Sequence, residues 1–301
     1  MTSLLALGEC MIELAPREDG ALRKGFAGDT FNTAWYARRL LPDDWSVAYG
    51  TCVGTDMVSD EMVAFMTGEG IDTSAIRRIP DRTVGLYMIS LREGERSFSY
   101  WRGQSAARLL AADEAWLDAT LAGRSCIHLS GITLAILTPA HREALCAALA
   151  RARAQGCHIA FDTNLRPRLW ENAEAMKAGL TLGASVADTV LPSFDEETGL
   201  FGDSSPAATA DRYAALGARE VCVKNGGQAL HILSEGDLHS FTPPAVRQVD
   251  STAAGDSFGA AWLAARLTGA DIETAAERAM ALAAQVIQER GALVRSIFDK
   301  V

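Results

Sequence analysis

Little in this chain points outside the cytoplasm or toward nucleic acid. Its six cysteines (Cys10, Cys52, Cys126, Cys146, Cys157 and Cys222) are scattered and form no C-x-x-C pair. Neither a disulfide framework nor a thiol redox motif is therefore expected. The five histidines make no ligand spacing with cysteines or carboxylates, which sets aside a zinc site. Positive charge is in short supply: 28 Lys and Arg against 38 Asp and Glu leave a net charge of −10. A binder of the phosphate backbone normally carries a basic patch, so no nucleic-acid partner is expected. No apolar run reaches spanning length, so no membrane partner is expected either. The opening MTSLLALGECMIEL lacks a basic segment and meets Glu9 too early for a secretion signal. Together these absences predict a cytoplasmic protein. Two nucleotide motifs are missing as well, G-x-x-x-x-G-K-[ST] and G-x-G-x-x-G, which excludes a P-loop and a dinucleotide fingerprint.

What is present is apolar substance in alternating blocks. Hydrophobic residues make up 49% of the 301 positions, enough for one large core. Short buried strands are expected at 4–9, 47–54, 126–131, 158–162, 189–193 and 220–227, with helices at 30–41, 59–68, 139–155, 256–267 and 272–289. Such alternation predicts an α/β fold: a mostly parallel central sheet flanked by helices. Residues 86–101 differ, alternating on both sides of REGE. They predict a β-hairpin off the main sheet, with Trp101 facing its core and Tyr100 and Arg102 sharing the opposite face. Residues 230–241 predict a second hairpin. No repeat or linker divides the chain, so one domain over 1–301 with a small β-sheet lid is expected, and an exposed lid predicts a homodimer.

In parallel sheets ligands gather at the carboxyl ends of the strands, which directs attention to a few segments. In VDSTAAGDSFGAAWLAARL, small residues precede Asp256 at the start of an apolar helix. Backbone amides of Ala253, Ala254 and Gly255 would form a nest for an oxyanion. A bare helix-dipole carboxylate is the simpler account of Asp256. An acid beside an anion nest also suits phosphoryl transfer, where a base takes the proton of the attacking hydroxyl while amides hold the phosphoryl group. Gly255–Gly259 also reads G-x-S-x-G, but every histidine precedes Ser257, against the hydrolase order. Arg166 follows a strand in FDTNLRPRLW and suits a carboxylate or phosphate; Arg168 is expected to be structural. Gly28-Asp29-Thr30-Phe31-Asn32 precedes a helix; Asp29 or Thr30 would cap it, and Gly28 would let a polar ligand approach closely. Lys224, Gly226 and Gly227 form a turn after a strand. Ser193 and Glu196 have the spacing of a capping box or of a metal-water contact.

STAAGDSF resembles the signature of the PfkB, or ribokinase-like, sugar kinases, usually written with G-A-G-D. GECMIEL, GFAGDTFNTA, SYWR, LSGITLAIL, FDTNLRPRLW and VIQERGA resemble its 2-keto-3-deoxygluconate kinase branch, and the likeness covers about residues 4–291. It implies a ribokinase-like fold with a lid from about 10–28 and 83–103. It implies ATP and Mg²⁺ as cofactors, and phosphorylation of a sugar acid at its terminal hydroxyl. By resemblance Asp256 is the base and Ala253–Gly255 the anion hole. Gly28, Asp29, Asn32, Tyr87, Tyr100, Arg102 and Arg166 match substrate positions. Asn164, Arg166, Ser193, Lys224, Gly226, Gly227, Ala253 and Gly255 border the nucleotide, and Glu196 reaches the metal through water. Ala253 and Ser193 stand where the family usually has glycine and asparagine. Fructokinase or ribokinase specificity, and a non-catalytic sugar sensor, are the alternatives.

Overall fold

The computed structural model describes residues 2–17, 19–92 and 95–299. Its strands run β1 (Ser3–Leu7), β2 (Met11–Pro16), β3 (Leu22–Ala27), β4 (Ser46–Val53), β5 (Ile76–Arg78), β6 (Gly85–Arg92), β7 (Glu95–Trp101), β8 (Cys126–Ser130), β9 (His158–Asp162), β10 (Thr189–Val190), β11 (Glu220–Val223), β12 (Leu230–Ser234) and β13 (Asp237–Phe241). Nine of them form one sheet in the order β13-β12-β11-β10-β9-β8-β1-β4-β5. It is parallel from β11 to β5, and the β12–β13 hairpin extends it antiparallel at one edge.

The strand LLAL explains the layers. Leu4 and Ala6 join an apolar cluster with Trp35, Tyr49 and Trp262, while Leu5 and Leu7 join another with Leu129, Phe161 and Leu180. Alternate side chains point to opposite faces, and helices cover both, so the strand is apolar throughout. The helices Asp29–Leu40, Ala254–Leu267 and Ile272–Val286 lie on the first face, and Pro139–Ala154 and Ala173–Ser185 on the second. Helices at Glu114–Leu121, Ala173–Ser185 and Pro206–Ala214 were not expected from periodicity. Each nevertheless starts on a capping side chain: Asp113, Asn172 and Ser205 accept from the amides of Trp116, Ala175 and Ala208.

The second sheet has four strands in the order β3-β2-β6-β7. The β6–β7 hairpin pairs from Leu86↔Trp101 to Arg92↔Glu95; the tip of its turn, at 93–94, lies outside the described residues. The strands β2 and β3 form a hairpin of their own. One face of this sheet is anchored on the helix Met57–Gly68, through Phe26 against Phe65 at 5.5 Å and an ion pair of Lys24 with Glu61. The other looks toward the carboxyl ends of the parallel strands. The expected burial of Trp101 is corrected here: it is 58% exposed. It shares its face with Leu86 and Met88, on the side away from the main sheet, where only the base of the sheet is covered.

Residues 291–294 close the gap between the two sheets. The Tyr36 hydroxyl donates to the Ala292 carbonyl at 2.8 Å and accepts from the Val294 amide at 3.1 Å. Asp250 accepts from the Gly291 amide at 2.8 Å. Ala292 thereby packs with Met11, Ala27, Tyr87 and Ile89 of the small sheet.

Candidate active site

A cavity of about 980 Å³ opens between the small sheet and the carboxyl ends of the parallel strands. Chain order reverses there, β1 lying between β8 and β4, which is where open α/β sheets leave a crevice. The cavity gathers Gly28, Asp29, Asn32, Tyr87, Tyr100 and Arg102 with Asn164, Arg166, Ser193, Glu196, Lys224 and residues 253–256. Of the residues singled out in the sequence, Gly226 and Gly227 lie beyond its wall, in the turn that follows Lys224.

Asp256 sits in the first turn of Ala254–Leu267. Asn32, one turn into the helix Asp29–Leu40, donates to its Oδ2 at 2.8 Å, and the Thr33 hydroxyl donates to its carbonyl at 3.3 Å. Two helix N-termini thus meet at one carboxylate. Burial pushes the Asp256 carboxyl up to about 7, and the neighbouring Asp29 and Asp162 charges push in the same direction. The Asn32 hydrogen bond and the Lys224 ammonium pull it back. The Asp29 carboxylate does not cap its helix. Its Oδ2 accepts from the Ser130 hydroxyl at 2.5 Å and from Asn164 Nδ2 at 2.8 Å. Asn164 stands at φ 31°, in the left-handed region that asparagine enters more readily than most residues.

The expected anion nest falls on the turn that begins the helix Ala254–Leu267. Ala253 caps the helix at φ 60°, ψ 17°, a conformation that a Cβ makes costly. The Ala254 amide donates to the Ser251 carbonyl at 3.2 Å, so it is not open to a ligand as expected. The amides of Gly255 and Asp256 follow in the first helical turn, where no intrahelical acceptor exists. A Cβ on Gly255 would lie 3.4 Å from Lys224 Nζ, so the ammonium stands directly over this turn. Asp162 holds it there at 3.0 Å.

The other cations are also paired. Arg166 meets Glu196 at 3.0 Å, and Glu196 accepts from the Leu165 amide at 3.0 Å. The capping-box reading of Ser193 and Glu196 fails, because Ser193 makes no side-chain cap and Glu196 braces the Arg166 loop instead. Burial raises the Glu196 carboxyl, and the Arg166 charge works against that. Arg102 forms a buried ion pair with Glu9. Gly85 makes room for it: a Cβ there would lie 2.8 Å from Glu9 Oε1. Gly28 lines the cavity, and packing makes a second demand on it. A Cβ on it would stand 2.2 Å from the Glu9 carbonyl, and its extended backbone (φ 177°) suits any residue. Glu9, Asp162 and Arg168 also line the cavity. Glu9 stands two residues past the end of β1, within reach of the strand-end rule; Arg168 reaches the wall although a structural role was expected of it.

The profile of the pfkB family of carbohydrate kinases matches residues 1–297. The chain belongs to the pfkB family. It is 40% identical over 300 residues to the 2-dehydro-3-deoxygluconokinase of Escherichia coli strain K12, covering 97% of this chain and 96% of that protein. Among solved structures, a PfkB protein from Polaromonas sp. JS666 superposes with a TM-score of 0.84 at 28% identity, covering 99% of each chain. An E. coli protein assigned as a ribokinase II, solved with ATP and Mg²⁺, superposes with a TM-score of 0.82 at 25% identity, covering 97% of this chain and 95% of that one. The pfkB fold accounts for the two sheets and for the crevice between them, and the expected ribokinase-like α/β class holds.

Two outcomes follow from the Asp256 turn. Ala253→Gly should raise the unfolding free energy by about 1 kcal/mol, because glycine enters the left-handed region without the Cβ penalty; urea denaturation would read it. In a ¹³C carboxyl titration Asp256 should titrate near pH 7. Asp29→Asn removes a like charge and should move that midpoint to lower pH; an unmoved midpoint would show that the Asp29 charge does not contribute.

Proposed function

We propose that this pfkB kinase transfers the γ-phosphoryl group of ATP to the terminal hydroxyl of 2-dehydro-3-deoxy-D-gluconate, giving the 6-phosphate and ADP. The observation that carries the chemistry is Asp256, a carboxylate poised near 7 at a helix start, with Lys224 over the preceding residue, Gly255. Asp256 takes the proton of the attacking hydroxyl. The new O–P bond forms as the bond to the β-phosphate oxygen breaks, and ADP leaves with that electron pair. The Gly255 and Asp256 amides and the Lys224 ammonium offset charge on the phosphoryl oxygens as it builds. The name of the E. coli relative supports the choice of substrate.

ATP and Mg²⁺ are the cofactors of this reading. Mg²⁺ takes much of its coordination from phosphate and water. The oxygens of Asp162 and Glu196 are the hard donors nearest Lys224 and Arg166, and they fit such an ion through water. When bound, the ion shields the negative charge of the phosphates. Asn164, Ser193 and Lys224 line the nucleotide side, while Gly28, Tyr87, Tyr100 and Arg102 line the sugar side. Arg166 and Arg102 give a sugar acid what a neutral sugar does not use, a cation for its carboxylate. The small sheet acts as a lid on one kinase domain and excludes water from the transfer. Six buried thiols suit a reducing cytoplasm, and no helix among the described residues is long and apolar enough to cross a membrane.

ADP release with Mg-ATP should be strong on 2-dehydro-3-deoxygluconate, weak on fructose, ribose and gluconate, and lost by about 10²-fold or more in Asp256→Asn. Arg166→Met should cost the sugar acid more than any neutral sugar; equal losses would remove its carboxylate role. Preference for a neutral sugar would keep the mechanism and discard the substrate.

The outer face of the lid carries Trp101 at 58% and Leu22 at 47% exposure, with Leu86 and Met88 half-buried between. We read it as the face through which two copies pair. Light scattering should give twice 32.1 kDa, and Trp101→Ser should shift the protein toward monomer. A monomeric wild type at micromolar concentration would refute the pairing.

A further inference from the structure

The inner face of the small sheet holds a buried carboxylate that the transfer chemistry does not use. Glu13 lies on β2, directly opposite Tyr87 on β6, and the two residues are each 8% exposed. The Tyr87 hydroxyl donates to Glu13 Oε2 at 2.5 Å. A carboxylate accepts hydrogen bonds and does not donate them, and a phenol has one proton. With that proton committed to Glu13, only the lone pairs of the phenol oxygen remain for anything else. Burial, and then the Glu13 charge, keep the Tyr87 phenol from ionising well beyond the usual tyrosine range. Burying a carboxylate in a small sheet is unfavourable, and an apolar pair would fill the same space at less cost. Tyr87 itself lines the cavity, beside Tyr100 at 6.0 Å between ring centroids.

We propose that Glu13 fixes the hydrogen-bond polarity of Tyr87, making it an acceptor that selects a substrate hydroxyl and rejects a carbonyl or carboxylate oxygen at that place. The inference rests on the reading of this cavity as a sugar-acid kinase site. That substrate is chemically two-ended. One end, the keto acid, only accepts; the other carries hydroxyls that also donate. An acceptor tyrosine favours the hydroxyl end beneath the lid and leaves the acid end to the arginines. The terminal hydroxyl is then directed toward Asp256. A tyrosine free to donate would receive either end. Glu13 acts through Tyr87 and is a positioning residue.

Fluorine separates the two cases, because it keeps the size of a hydroxyl and cannot donate. The probes are 2-dehydro-3-deoxygluconate and its analogues with fluorine in place of the C4 or the C5 hydroxyl. In the wild type one of the two analogues should show kcat/KM lower by about tenfold, the loss of one hydrogen bond. In Glu13→Gln the amide can donate to the phenol oxygen and release its proton toward the ligand, so the same analogue should recover to within about threefold of the parent. Tyr87→Phe should erase the discrimination as well, and it carries the test if Glu13→Gln does not fold. The inference is overturned if both fluoro analogues match the parent in the wild type. It is equally overturned if the discrimination survives unchanged in either variant, since a purely structural pair would leave the ratio alone. Turnover of the parent compound by the wild type reports on the kinase reading separately: its absence defeats that reading, and the inference with it.

Discussion

Three carboxylates crowd one end of the main sheet, and their mutual repulsion is the constraint that the rest of the site answers. Asp29, Asp162 and Asp256 come from three separate segments, two helix starts and a strand end. Like charges at such range would drive the segments apart in water, and more strongly in a half-buried crevice. The structure answers each differently. Asp162 is neutralised by Lys224. Asp29 is bound by Ser130 and Asn164. Asp256 receives one hydrogen bond from Asn32 and remains the least compensated. It is the one whose proton affinity rises into the neutral range. The two helix N-termini add positive dipole charge to the same place, which makes the crowding tolerable.

The cations follow a similar rule. Lys224, Arg166 and Arg102 each have a carboxylate partner already in place: Asp162, Glu196 and Glu9. Pairing fixes these long side chains before any ligand arrives, so less rotamer freedom is lost on binding. It also lets an acidic chain carry a site for two anionic molecules, since the positive charge is local and held in position. Glu9–Arg102 and Glu13–Tyr87 extend this pairing to the small sheet, where an acid on β2 and one just before it meet Tyr87 of β6 and the residue that follows β7.

Much of the fold was legible because buried parallel strands and capped helices leave local marks. LLAL, CIHLS and HIAFD are apolar runs too short for helices, and each is a strand. The unexpected helices mark their starts with capping side chains rather than with apolar periodicity. The lining of the crevice was legible at the strand ends, and the resemblance of STAAGDSF singled out Asp256 as the expected base. What local reasoning got wrong depended on the partner. Trp101 alternates as a core residue would, yet among the described residues only the base of its face is covered. Glu196 has capping-box spacing and braces Arg166.

The sequence by itself determined the class of fold, the family and the chemical inventory of the crevice, because strand length, helix starts and signature residues are written in contiguous segments. Tertiary structure alone decided which acid meets which base. Asn32 reaches Asp256 across 224 positions of chain, Glu13 lies 74 positions from Tyr87, and Lys224 lies 62 from Asp162. Proton affinity and hydrogen-bond polarity depend on burial and on charges a few ångströms away. Those neighbours are set by strand order and helix packing, so no local reading of the chain contains them.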